Sequence, residues 1–246
     1  MKNELIEIYK VKGLLGEHHE FKPLGDSCKH CDSCWQDIDS KLDKGYGIYL
    51  PWIGVHYSTS KILVLGINLN DIGDLDAQVE LAKLAKNELN DGKKKIFKSE
   101  TYGGTPYWYV LPQYVIHILN CSGIKVDSLS LALDYIAVTN SIKCTIDRER
   151  AIPTQNMWNN CPEYILKEEV EVLKPNTILI LGKSDNYWNF KSSVAVIIEE
   201  KQEGNFIIGT CKIGTIVSNF IVTPHPTAFG GYRKYLKEFT AISLIF

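Results

Sequence analysis

Four continuous apolar runs constrain this chain more than any other feature: Lys61-Ile62-Leu63-Val64-Leu65-Gly66, Tyr135-Ile136-Ala137-Val138-Thr139, Thr177-Ile178-Leu179-Ile180-Leu181-Gly182 and Phe220-Ile221-Val222-Thr223. None alternates polar with apolar residues, so each reads as a strand buried on both faces, the pattern of a parallel sheet covered by helices. Helical patterns separate them. Asp76 to Asn90 carries Val79, Leu81, Leu84 and Leu89, and Tyr107 to Leu119 is helical in pattern despite Pro112. Pro162 to Leu173 places a proline at a first helical turn, with Ile165, Leu166, Val170 and Leu173 behind it. Strands alternating with helices imply an α/β fold, a three-layer α/β/α sandwich with a central, mostly parallel four-stranded sheet.

With 246 residues, 45% of them hydrophobic, the chain can bury one substantial core, and a single domain over 1–246 is expected. Residues 1–60 are polar, loop-rich and cysteine-bearing, an N-terminal extension packed on the core. No apolar run approaches a bilayer span, and Met1-Lys2-Asn3-Glu4 lacks the apolar core of a secretory signal. The expectation is a cytoplasmic monomer with no membrane partner. The net charge of −2 draws no nucleic acid by itself, so any such contact must come from a local patch.

Seven cysteines in a reducing compartment read as thiols or metal ligands rather than disulfides. Cys28-Lys29-His30-Cys31-Asp32-Ser33-Cys34 holds two overlapping C-x-x-C pairs, a spacing that lets two thiolates of one loop reach one metal. Cys144 follows a strand and Cys161 precedes the proline of the helix, both at the sheet edge where a site belongs. Cys121 and Cys211 read as small buried apolar residues. Spacing alone leaves zinc and an iron–sulfur cluster both open.

In such sheets ligands bind beyond the carboxyl ends of the strands. That rule selects Gly66 to Asp74, Asn140 to Cys144, Gly182 to Asp185 and Pro224 to Arg233. Read in order, Ile62 to Asn70, Val138-Thr139-Asn140-Ser141-Ile142-Lys143-Cys144, Cys161-Pro162-Glu163 leading to Leu181-Gly182-Lys183-Ser184, and Thr223-Pro224-His225-Pro226-Thr227-Ala228 resemble the motifs of the uracil-DNA glycosylase superfamily. The likeness runs from Lys61 to the C-terminus and is nearest the iron–sulfur branch, often called family four. It implies DNA containing a damaged base as partner and base excision as activity. It also implies a [4Fe-4S] cluster on Cys28, Cys31, Cys144 and Cys161, with Cys34 able to replace one of the first pair; zinc is the alternative cofactor.

The resemblance assigns roles that the chemistry of base removal requires, because that reaction leaves an anionic base and must hold it outside the duplex. His225 would donate a hydrogen bond to the base oxygen where charge develops. Asn140 would read the uracil edge with one donor and one acceptor. Tyr107 would stack on the flipped base, with Trp108 or Tyr102 as alternatives, while Gly66 and Ile67 would line the pocket. Thr227, Phe229 and Arg233 would meet DNA, Phe229 as a wedge. Lys93-Lys94-Lys95 with Lys98 is either a phosphate-binding group or a solvated loop. The chain departs from the iron–sulfur branch at Ile67, where that branch carries an acid, and at Leu69 and Asn70. Gly66-Ile67-Asn68 instead resembles the mismatch-specific branch, which implies that Asn68 orients the attacking water, with Asp71 or Asp74 nearby. An amide is a weaker base than a carboxylate, so slow turnover is expected. A binding protein that has kept the pocket but lost hydrolysis is the competing expectation.

Overall fold

The structure is a computed structural model and describes residues 1–15, 34, 49–67, 77–92, 107–143, 153–226 and 232–244. In chain order the elements are α1 (Lys2–Val11), β1 (Trp52–Ile53), α2 (Tyr57–Ser60), β2 (Ile62–Gly66), α3 (Ala77–Asn90), α4 (Tyr107–Cys121), α5 (Leu129–Ala132) and β3 (Ile136–Asn140). They continue with α6 (Gln155–Cys161), a π-turn over Pro162–Leu166, α7 (Lys167–Leu173), β4 (Thr177–Leu181), α8 (Asp185–Ser193), β5 (Val196–Glu203), β6 (Phe206–Ile213), β7 (Ile216–Thr223) and α9 (Tyr232–Thr240).

The four apolar runs are the four parallel strands, adjacent in the order β3-β2-β4-β7. The expected four-stranded sheet needs correction, however. The sheet is mixed and has seven strands, β1-β3-β2-β4-β7-β6-β5, with antiparallel β1 on one edge and the antiparallel pair β6 and β5 on the other. Those added strands escape the apolar-run criterion because β5 is mostly exposed and β1 has two residues. Tight turns make the extension possible. Gly204 and Gly214 take positive φ (60° and 56°) at the first central position of two-residue hairpin loops, the backbone that suits a type II′ turn.

Successive side chains of the parallel strands feed two cores, one on each face. Leu63, Leu65, Ile178, Ile180, Phe220 and Val222 pack with α1, α7 and α8. Val64, Val138, Leu179, Leu181 and Ile221 pack with α3, α4 and α9. Three layers are therefore observed. Pro112 lies inside α4 and is buried, and Gln113 Nε2 donates to the Tyr109 carbonyl at 2.8 Å.

Two local expectations also change. Pro162 does not open a helix; the helical segment begins earlier, at Gln155, where Thr154 Oγ1 accepts from Met157 N at 3.2 Å. A proline inside a continuing helix lacks the N–H and crowds the preceding turn, and here the chain widens into the π-turn directly after Cys161. Cys121 is exposed at the end of α4, whereas Cys211 is buried and its burial pushes the thiol up to about 12.

Candidate active site

The carboxyl ends of β3, β2, β4 and β7 form one rim. In-register pairing puts Gly66 opposite Asn140, and the Asn140 side-chain oxygen occupies the space a Cβ on residue 66 would need. A side chain at Gly66 would displace that carboxamide. The two strand ends stay together past the sheet, because Ser141 N donates to Gly66 O at 2.9 Å and Ile142 N to Ile67 O at 2.8 Å. Gly182 turns the chain out of β4 with φ 103°, and its N–H bonds the Thr223 carbonyl at 2.9 Å, tying β4 to β7.

At the β7 end, His225 lies against Tyr107, the first residue of α4, with ring centroids 5.9 Å apart and planes 37° apart. Trp108 packs edge-on to Tyr107 at 5.0 Å. Desolvation lowers the His225 pKa to about 4, which keeps the imidazole neutral at ordinary pH. The same burial pushes the Tyr107 phenol well above its usual range. Tyr107, Asn140 and His225 are all only half-buried.

Beneath the rim lies a polar layer that sequence reading missed. Asn186, fully buried in the first turn of α8, donates through Nδ2 to Leu65 O and Leu181 O, each at 3.0 Å, and accepts from Ser141 Oγ at 2.5 Å. Beside it, Lys143 Nζ bonds Glu169 Oε2 at 2.5 Å and Thr139 Oγ1 at 2.7 Å, and Tyr9 OH donates to the other Glu169 oxygen. Both charges are almost wholly buried. Burial pulls the Lys143 pKa down, opposed by Glu169 and by the Cys161 thiol. An asparagine early in a helix reads as local capping, and a Lys–Glu pair 26 residues apart carries no local signal.

Cys34 and Cys161 share one buried cluster with Ile142, Met157 and Trp158, and Ile67 packs against it. Asn160 Nδ2 lies 3.5 Å from Cys34 Sγ, while Thr154 Oγ1 donates to the Cys34 carbonyl at 2.8 Å. Thus one cysteine of the N-terminal group and the helix cysteine belong to one cluster beside Ile142, two residues before Cys144 in the sequence. Among the described residues no group of three or more His, Cys, Asp or Glu side chains could hold a metal ion. Cys28, Cys31 and Cys144 lie outside the described residues, as do Asn68, Asp71, Asp74, Lys93 to Lys95, Lys98, Tyr102, Thr227 and Phe229. Arg233 is exposed on the first turn of α9.

The fold is a mixed α/β sandwich in which Asn140, Tyr107 and His225 stand at or near the carboxyl ends of the parallel strands. The family model of the uracil DNA glycosylase superfamily matches residues 85–243. The chain belongs to that superfamily. The matched stretch contains Tyr107, Asn140, Cys161 and His225, whereas Gly66, Ile67 and Asn68 precede it. No curated protein matches the chain. No described helix is long and apolar enough to cross a membrane.

Proposed function

We propose that the protein is a DNA glycosylase that hydrolyses the N-glycosidic bond of uracil or a related deaminated base. Superfamily membership suggests a glycosylase and implies DNA binding, and the pairing of Tyr107 with a neutral His225 is the observation that carries the finer reading. The β3 and β7 backbones are three strand spacings apart, roughly 14 Å. In this reading the flat ring of the base lies between Asn140 and His225. Tyr107 offers that ring a stacking face, worth roughly 1–3 kcal/mol per base. Asn140 offers one donor and one acceptor, which fit the uracil edge and not the reversed edge of cytosine. As the glycosidic bond breaks, negative charge grows on the base. A neutral imidazole N–H aimed at the base oxygen stabilises it without carrying a proton that must be lost first.

Water orientation falls to Asn68 in this reading, since Ile67 packs on the thiol cluster and supplies no base. Arg233, Thr227 and Phe229 would engage the DNA. The meeting of Cys34 with Cys161 supports a soft-metal site completed by Cys144 and by Cys28 or Cys31, with a [4Fe-4S] cluster favoured over zinc by family likeness. Its contribution would be to fasten the N-terminal segment beside the rim.

The test is purified protein on single- and double-stranded oligonucleotides carrying uracil, hypoxanthine or xanthine, followed by alkaline cleavage. Strand scission at the modified base is expected, and its absence with every base overturns the proposal. The apolar setting of Ile67 favours a second reading, a member that binds a base without hydrolysing it. Saturable binding with no product, insensitive to Asn68→Ala, would establish that one instead.

A further inference from the structure

We propose that Asn186 is the positioning residue of this rim, a clamp that sets the spacing between Gly66–Ile67 and Asn140. The inference rests on the glycosylase reading for its catalytic consequence, though not for its geometry. Three bonds from one buried carboxamide reach β2, β4 and the residue just past β3, and every partner adjoins a rim residue. Leu65 precedes Gly66, Ser141 follows Asn140, and Leu181 precedes Gly182.

The three bonds call for a carboxamide. An amide donates twice and accepts once from one planar group; a carboxylate cannot donate to Leu65 O and Leu181 O, and a leucine can do neither. The Leu65 and Leu181 carbonyls lie at the ends of neighbouring strands where the ladder runs out, since the β2–β4 register stops at Leu65 and Ile180. Asn186 continues the pairing one step past the sheet. Gly182 permits this through its backbone rather than its size: φ 103° is a conformation that residues with a Cβ rarely adopt, while the space beside it would admit one. The hydroxyl of Ser141 then carries the constraint to β3, whose next backbone amides hold Gly66 O and Ile67 O. The residue that reads the base and the strand that leads to the attacking water are thereby fixed to one another through Asn186, which itself is fully buried and bonds β2 at Leu65, one residue before the rim.

The test compares Asn186→Ala, which deletes all three bonds, with Ser141→Ala, which deletes one, and with the double variant. Two readouts are taken: single-turnover excision of uracil with its KM and kcat, and hydrogen exchange of the Ser141 and Ile142 amides. Loss of the clamp is expected to lower kcat roughly 10- to 100-fold with KM moved less than about threefold, as misplacement of reacting groups does. Exchange of both amides should rise about tenfold or more as local opening becomes easier. The double variant should be no worse than Asn186→Ala, because the two changes remove a shared bond. A fall in melting temperature with kcat and amide exchange unchanged would make Asn186 an ordinary packing residue and overturn the proposal. If Asn186→Ala does not fold, Ser141→Ala decides by the same readouts. If the wild-type protein excises no base, the functional reading fails by itself, while amide exchange still decides the clamp: unchanged protection refutes it and lost protection upholds it.

Discussion

His225 is where one side chain makes the sharpest demand on experiment. Its pKa falls from an ordinary 6.5 to about 4 because the folded protein desolvates the ring. The unfolded chain therefore binds a proton at higher pH than the folded one does. Its contribution to stability is complete above about pH 6.5 and is lost as the pH falls toward 4, on the order of 3 kcal/mol in all. Thermal midpoints measured across that window should decline, and His225→Gln should flatten the decline. The excision rate should hold steady from neutrality down to about pH 5 and drop near 4, whereas a midpoint near 6.5 would mean that the ring is solvated. His225→Ala should lower the rate roughly 10²- to 10³-fold, the usual cost of losing a donor to a developing anion. The fold rule for strand ends selects the segments that hold Asn140 and His225, whereas Tyr107, at the head of α4, enters only through the family resemblance. Asn186 carries no such signal, since two of its three partners, the Leu65 carbonyl and the Ser141 hydroxyl, lie 121 and 45 residues away in the chain.

At the scale of elements, the parallel strands were legible because burial on both faces writes an unbroken apolar run. The β5–β6 extension follows another logic. Glu199 to Glu203 is polar and almost wholly exposed, and the strand is held by its pairing with β6 rather than by burial. Gly209 in β6 shows how close that pairing is. A Cβ there would collide with the Glu199 carbonyl oxygen and stand 2.8 Å from two carbons of the Phe220 ring. Neither neighbour can yield cheaply, one being backbone and the other a fully buried ring in the core. Gly209→Ala should destabilise the protein by roughly 1–3 kcal/mol through overpacking, read as a lowered denaturation midpoint with an unchanged denaturant slope. An unaltered midpoint would mean that β5 lifts away freely. Pro162 went wrong in the sequence for a related reason: the propensity rule for proline at a helix start is local, while the helix before it, capped by Thr154, is set by its packing around Cys161 and Trp158.

Across the whole molecule, the described residues of the N-terminal segment meet the layer beneath the rim through α1 and through Cys34. Leu5, Ile6 and Tyr9 of α1 are buried in the core under α7, with Tyr9 bonded to Glu169 and through it to Lys143 and Thr139. Cys34 is joined to the Thr154 cap and clusters with Cys161. A buried Lys–Glu pair seldom outdoes an apolar substitute in stability, so its presence here points to holding one arrangement. Thiolates near Lys143 would sit in a field that favours them, since a nearby ammonium stabilises the deprotonated, metal-binding form. Protein purified without oxygen should therefore contain metal, brown with broad visible absorption for a cluster and colourless with stoichiometric zinc otherwise. Cys161→Ser should lose that metal and lower the melting temperature, because metal binding that requires the folded geometry is itself folding free energy. Cys211→Ser removes an equally buried thiol from the opposite end of the sheet, next to β7, and should leave metal content unchanged. Full metal retention in Cys161→Ser, or equal loss in both variants, would separate the thiol cluster from metal binding and leave Cys34 and Cys161 as packing alone.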